Sequence, residues 1–587
     1  MSNKCSRRDF LKGSALAVAG TMVVGGLASC GSSSKEEWDN EADVVVVGYG
    51  GAGACAAIAA ADAGASVVIV EKNPEDAHFT NTAMSGGGFH CPDPNGDKEA
   101  LKQYLRAMIS GDNVDGRIEG DENPLFVDEI VEKYAEYEPG VIDFLQSIDP
   151  DFEAFGPMGG AAFGDFPGAE DSGYAFYVAS YNGKATGPTF PSLDTPKEDT
   201  AGGLAMFNCL KTGVEARSGS ISVLWETPAE SLVVDEDGAV IGIVAKQGES
   251  PMRIKASKGV VLASGGFEFN PAMRKSFLEG PGVNGWAFYG SPSNTGDGIL
   301  MASAIGAQLA KMSKCEARLI WACPDAEANG CLIGSVTDSV GTEGTIIVNA
   351  RGERFMDETL VTQDPSRYLS YKEAAKMDIQ DLTYPNIPAY LIIDEAKRQE
   401  GSLVGLTWST VAFGLIPWQE GDDENKTLID NGWMYQADTF EELARKIKEG
   451  HDINMGRMDP DTFVAQMEHY EKIVESGVDD QFGRSPKYMD PLTHTYQPAP
   501  FQPIATPPFY ALPLVAGGPI TAGGLQTDAN CRVVDWNDEP IARLYAAGEM
   551  ACTFKFMYQG GGNLTDNIVR GRIAGECAAA ESTWDSQ

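Results

Sequence analysis

Basic residues are scarce in this chain: 44 Lys and Arg stand against 85 Asp and Glu, a net charge of −41 over 587 residues. Such a surface repels phosphate, which argues against nucleic-acid binding. Histidine is scarcer still, five in all, and the five form no metal-ligand pair on a helix. No C-x-x-C and no C-x-x-C-H occurs. Covalent haem and the usual zinc and ferredoxin spacings are therefore excluded. The apolar run Ala15–Leu27 falls short of the roughly 20 residues a membrane-spanning helix needs. No repeat appears beyond it. The hydrophobic content of 43% and aromatic content of 9% describe a well-packed protein. About 550 residues beyond the leader exceed what one core usually supports, so two or three domains are expected.

The first 37 residues carry addressing signals rather than fold. Ser6-Arg7-Arg8-Asp9-Phe10-Leu11-Lys12 is a complete twin-arginine export motif, and Leu27-Ala28-Ser29-Cys30 has the form of a lipobox. Gly31 to Glu37 would be a polar tether. The expectation is export by the twin-arginine route, already folded, and attachment to the membrane from outside by a lipid on Cys30. Cleavage without a lipid is the alternative. Beyond Cys5 and Cys30, nine cysteines remain: Cys55, Cys91, Cys209, Cys315, Cys323, Cys331, Cys531, Cys552 and Cys577. The even spacing of Cys315, Cys323 and Cys331 leaves a cluster, a disulfide or buried free thiols open, and the small polarizable side chain suits the last.

What the chain does have begins at Asp43. A valine-rich strand runs into Gly48-Tyr49-Gly50-Gly51-Ala52-Gly53, then an alanine-rich helix, then Ser66–Val70 and the acid Glu71, with Lys72 beside it. Gly48, Gly50 and Gly53 fill G-x-G-x-x-G, and the whole strand, turn, helix, strand and acid unit is present. The glycines give a tight turn, backbone N–H groups close to a pyrophosphate, and close helix packing; the acid accepts from a ribose. This is a dinucleotide site. The small-residue loop Thr80–Gly88, with Thr82, Ser85, Gly86 and Gly87, is suited to lie against a flat ring system. Residues Asp128–Ser147 have helical apolar spacing. Phe152–Phe190, rich in Gly, Pro, Phe and Tyr, reads as an irregular and functional loop region. A helix is expected over Gly202–Arg217, strands at Val223–Trp225, Ala229–Val234 and Ala239–Lys246, a buried strand ending in Gly265-Gly266, and a helix starting near Asp297. From about Cys315 to Pro503 the texture turns polar, helical and Trp-bearing, and Gly517–Ala580 then resumes the nucleotide-domain style.

Six motifs in this order resemble the fumarate reductase/succinate dehydrogenase flavoprotein family, whose relatives include ketosteroid dehydrogenases and extracytoplasmic reductases of unsaturated compounds. They are Gly48–Gly53 with Glu71; Asn81–Gly88; Val261–Phe267; Asn294–Gly298; Asn349–Glu358; and Leu544–Glu549 with Gly560–Leu564 and Gly571–Gly575. The resemblance covers nearly all of the mature chain. It implies FAD and an α/β fold: a Rossmann-like FAD-binding domain, discontinuous in sequence (residues 38–310 and 506–587), with an inserted α+β capping domain (311–505). Glu549 would bond ribityl hydroxyls. Gly562, Asn563 and Leu564 would open a helix toward the flavin, and Gly265 and Asp297 complete the expected cofactor set.

Where the chain departs from fumarate reductases, it loses charge. The donor arginine is replaced in Val361-Thr362-Gln363-Asp364. The relay acid corresponds to Asp338, but the arginine expected near Gly341 is missing, as are the histidine before Gly523-Gly524 and the arginine at Tyr558-Gln559. Each carboxylate clamp is a charge-assisted pair, so fumarate should not bind usefully. Tyr558, before the glycine run, matches the tyrosine that holds the ketone in ketosteroid dehydrogenases, and a phenol can donate to a carbonyl or serve as acid or base. The expected catalytic set is Tyr558, Arg367, Gln363 and Asp338, with Tyr289 and Trp286 as cavity or core. Arg354 and Glu358 are expected to hold the cap. The expected reaction is hydride transfer from flavin N5 to the β-carbon of an uncharged, steroid-like α,β-unsaturated carbonyl compound. Electrons would come from a quinol-fed or haem partner, because the chain has no haem motif and no second glycine fingerprint. The alternatives are the reverse dehydrogenation, a rearranged fumarate reductase, and a flavin lipoprotein that only relays electrons.

Overall fold

A computed structural model describes residues 38–111, 124–362, 367–422, 424–450, 456–489, 495–551, 553–554 and 556–584. The leader motifs and Cys30 lie outside the described residues, as do Gln363 and Cys552. Among the described residues no helix is long and apolar enough to cross a membrane.

Two mixed sheets organise the described chain. The first has eight strands, and its central run of Pro540–Ala546, Ser250–Leu262, Asn40–Val47, Val67–Val70 and Ile221–Leu224 is parallel throughout. Val44–Val46 and Val260–Leu262 are fully buried. This is the unbroken β-branched composition that a parallel strand covered on both faces requires. Strands from the two ends of the chain therefore sit side by side, and the domain built on this sheet is discontinuous in sequence, as the resemblance implied. The second sheet has seven strands around Phe509–Thr521 and holds its own core, including Trp321, Leu391 and Leu514. It draws Trp286–Phe288 from before residue 311 and Phe509–Thr521 from after residue 505.

Helices Gly51–Asp62 and Gly562–Ala580 pack at backbone distance. A Cβ on Gly571 or Gly575 would collide with the main chain of Ala52 or Ala56, so only glycine permits the approach. Both helices begin on the same cavity.

Most expected elements form close to their expected bounds: helix Gly203–Glu215, and strands Ile221–Leu224, Ala229–Val234 and Val240–Gln247. Two expectations change. The helical stretch 128–147 is broken at Glu138-Pro139-Gly140 into Pro124–Tyr137 and Val141–Ile148. The stretch 152–190 is not all irregular: Glu153–Gly159 and Phe176–Ser180 pair antiparallel, and the latter also pairs with Gly88–His90. Its aromatic side chains, Phe152, Phe163, Phe166 and Tyr174, are core. All eight described cysteines are free thiols; Cys315, Cys323 and Cys331 are buried, and no described group of three or more His, Cys, Asp or Glu forms a metal cradle.

Candidate active site

A cavity of 480 Å³ lies where the ends of the first sheet's parallel strands meet the second sheet. In open α/β sheets this is where ligands bind. Its nucleotide end is built mostly from main chain. Helix Gly51–Asp62 has no side-chain cap at Gly50, and a Cβ on Gly50 would meet nothing within 4 Å, so the space in front of this helix start belongs to the cavity. Gly53 faces inward instead, where a Cβ would collide with the Gly48 carbonyl. Glu71 ends the second strand and is buried; its carboxylate accepts from the Tyr49 N–H at 3.0 Å, the Asn73 N–H at 2.9 Å and the Asn73 side chain at 2.8 Å. Burial pushes its pKa up, but His78 and these N–H donors outweigh burial and hold it low, so Glu71 is an ionised acceptor. Lys72 reaches across to Asp297 and Thr295, each at 2.7 Å.

Thr82 accepts from the Gly51 N–H at 3.1 Å, and Ser85 accepts from Gly87 at 3.2 Å, so the small-residue loop is tied to the phosphate-facing turn. Opposite it, helix Gly562–Ala580 starts at Gly561, whose φ of +90° is one that L side chains rarely adopt, again with no side-chain cap. Two uncapped helix N-termini thus face one cavity, an arrangement suited to a ligand that carries or acquires negative charge. Of the expected cofactor residues, Gly48, Gly50, Gly51, Ala52, Glu71, Lys72, Thr82, Ser85, Gly86, Gly87, Gly265, Asp297, Glu549, Asn563 and Leu564 line the cavity. Gly53 and Gly562 stand behind that surface.

Glu549 holds an arrangement that sequence reasoning missed. It is paired with Glu268, and the Asn81 amide bridges the two carboxyls at 3.1 Å each, with Asn294 donating to Glu268 at 3.1 Å. Burial, and then the neighbouring Glu268, raise the Glu549 pKa well above the carboxylate range, so the pair retains a proton. The one signal available was an acid directly behind the Gly265-Gly266-Phe267 turn.

The other end of the cavity is built from side chains. Tyr558, Arg367, Asp338, Thr362, Tyr289, Tyr368, Trp408 and Arg318 line it. The Tyr558 ring stands edge-on to Tyr368, with centroids 4.8 Å apart, and the Arg367 guanidinium lies 4.5 Å from the Tyr368 ring centre. Tyr558 is buried, and burial, followed by Tyr368 and Glu316, raises its pKa far beyond the usual phenol value. It therefore stays protonated: a hydrogen-bond donor or acid, not a base. Trp286, one of the two undecided aromatics, is core and bonds the Glu279 carbonyl; Tyr289 is in the cavity wall. Asp338 is ion-paired to Arg318 at 2.8 Å, so an arginine from the neighbouring strand stands beside this acid in place of the one missing near Gly341. Arg354 and Glu358 lie away from the cavity, in a fully buried network with Asp479 and Arg484. That is the holding role expected of them. Arg318 was detectable as an arginine inside the apolar run Cys315–Trp321, a place arginine seldom occupies without a partner.

The glycine turn, the acid at the second strand and the two open helix N-termini define a dinucleotide-binding protein of the flavin type. The FAD binding domain family model matches residues 43–564, and the chain belongs to that family. It is 28% identical to a 3-oxosteroid 1-dehydrogenase of Mycolicibacterium smegmatis, over 87% of this chain and 92% of that protein. It is 27% identical to a 4-oxocyclohexanecarboxylate 2-dehydrogenase of Sinomonas cyclohexanicum, over 92% and 93%. A crystal structure of 3-ketosteroid Δ1-dehydrogenase from Sterolibacterium denitrificans superposes with a TM-score of 0.73 at 25% identity, covering 92% of this chain and all of that one. The chain is an FAD-dependent oxidoreductase of the dehydrogenase/reductase type that acts on carbon–carbon bonds.

Proposed function

We propose that this protein reduces a carbon–carbon double bond conjugated to a carbonyl. The observation that supports this reading best is Tyr558: a buried, permanently protonated phenol in the cavity wall, packed against Gly562 at the start of the flavin-facing helix. A neutral donor there polarises a substrate carbonyl and stabilises the enolate oxygen as charge develops on it. Bound FAD supplies the hydride equivalent. Asn563 and Leu564, Glu71, Thr82 and the Gly48–Gly53 turn would hold the cofactor, and Glu549, as the protonated member of its pair, would donate to or accept from its hydroxyl chain. Tyr558 keeps its proton and offers it as a hydrogen bond, with Tyr368 packed on its ring and the Arg367 guanidinium over Tyr368. The lost fumarate clamps weigh against a dicarboxylate, and the two guanidinium groups in the wall weigh against a wholly uncharged compound.

Electrons would come from a quinol-fed or haem partner outside the membrane, and the lipobox at Cys30 would keep the enzyme beside it. The twin-arginine and lipobox residues support that placement. The test is anaerobic: the FAD-loaded full chain is reduced chemically and flavin absorbance is followed while enones or fumarate are added. Rapid reoxidation by enones, slowed in Tyr558→Phe, is expected; reoxidation by fumarate alone would overturn the proposal. The reverse reaction is the second reading, supported by the relatives named as dehydrogenases. It would appear as reduction of the oxidised flavin by a saturated ketone with no reoxidation by the enone.

A further inference from the structure

We propose that Arg318 anchors a carboxylate on the substrate, so that the compound reduced is an α,β-unsaturated carbonyl compound with a separate anionic group. This rests on the carbonyl-conjugated reading above and names its substrate class. Arg318 sits on strand Cys315–Ala328, opposite Gly517, where the register with Phe509–Thr521 shifts between Glu316 and Arg318. Such an irregularity re-aims a side chain, and irregularities of this kind gather beside active sites. The residue is 2% exposed and lines the cavity. One of its nitrogens, Nη2, donates to Asp338 at 2.8 Å; Nε and Nη1 have no hydrogen-bond partner among the described residues. The hydroxyl of Tyr289, buried in the same wall, has none either.

Burial works against the Arg318 charge, but Asp338 and the neighbouring tyrosines keep the guanidinium protonated. Leaving charged donors buried and unmet is costly, and a folded chain keeps them so where a ligand completes them. Asp338 alone does not complete them, because it uses one of three nitrogens. A carboxylate supplies the missing acceptors, while Tyr558 remains free to hold the carbonyl. A neutral steroid ketone would leave Nε and Nη1 unmet.

The test uses the FAD-loaded full chain and three probes: 4-oxocyclohex-2-ene-1-carboxylate, its methyl ester, and cyclohex-2-en-1-one. Binding is read from perturbation of the oxidised flavin spectrum, independently of turnover, and reoxidation of reduced flavin is read separately. The acid is expected to bind about tenfold or more tightly than the ester. Arg318→Gln should abolish that preference with flavin content and ester binding unchanged, and Arg318→Lys should restore part of it. Equal binding of acid and ester by the native protein, or equal loss of both in Arg318→Gln, would overturn the proposal and leave Arg318 as a partner for Asp338 only. If Arg318→Gln does not fold, the native comparison of acid with ester decides alone. Selective binding of the acid without reoxidation by any probe would uphold the anchor and overturn the reduction reading, so the two failures are distinct.

Discussion

The two ends of the cavity are made differently. At the nucleotide end, positions are set by main chain: two glycine-started helices, a turn in which a Cβ on Gly53 would strike the Gly48 carbonyl, and Glu71 fixed by two N–H donors. At the substrate end, positions are set by side chains held in tension between burial and charge: Arg318 with Asp338, and Arg367 over Tyr368 beside Tyr558. A backbone site can change little without losing the fold, whereas a side-chain site can be re-tuned one residue at a time. A family that keeps its cofactor and varies its substrate has use for both.

Substitutions should separate the two ends. Gly53→Val places a Cβ against the Gly48 carbonyl; loss of folded, flavin-bearing protein is expected, read by absorbance of the purified chain. At the other end, Tyr558→Phe should retain flavin and lower the rate of enone reduction by roughly 10²-fold or more, measured by anaerobic stopped flow. If flavin is lost too, the division between the ends fails. Arg354→Met strips a cation from a fully buried network, leaving Asp479 without its guanidinium and Glu358 with Arg484 alone. A loss of about 3–5 kcal/mol is expected in denaturant unfolding, even though no cavity residue is touched.

Stability should also depend on pH beneath the glycine run. Burial raises the Glu138 pKa to about 8, opposed by Tyr174 and helped by Asp566, against an ordinary value of 4.5. The folded form keeps this proton while the unfolded chain releases it, so stability is full at low pH and falls as pH rises from about 4.5 to about 8. Glu138→Gln should flatten that decline, read as the difference in Tm between pH 5 and pH 8. The smallest effect is expected for Lys72→Met. Its bond to Asp297 is partly exposed, with side-chain exposures of 28% and 36%. Removing it should change stability by under about 1 kcal/mol.

Legibility in the sequence followed the same division. The Gly48–Gly53 turn with Glu71, the small-residue loop and Gly560–Leu564 could be read because local spacing alone fixes what they do, and fifteen of the seventeen expected cofactor residues line the cavity. Arg318 could not be placed in the site from spacing, because a bulge in its pairing with a strand some 200 residues away is part of what sets its aim. Glu268 was missed for the same reason, since its partner Glu549 is supplied from the far end of the chain. The strands in 152–190 were hidden because their aromatic and glycine content resembles loop until pairing with Gly88–His90 closes the sheet.

By itself the sequence determined the strand, turn and helix unit at Gly48, the glycine turns and the helices that start on the cavity, because those depend on steric limits and hydrogen bonds between residues close in the chain. Only the tertiary structure decided the protonation of Tyr558 and of the Glu268–Glu549 pair, the partner of Asp338 and the charge of the substrate wall. Those depend on burial and on distances between residues far apart in sequence, where the low local dielectric magnifies whatever charge lies nearby.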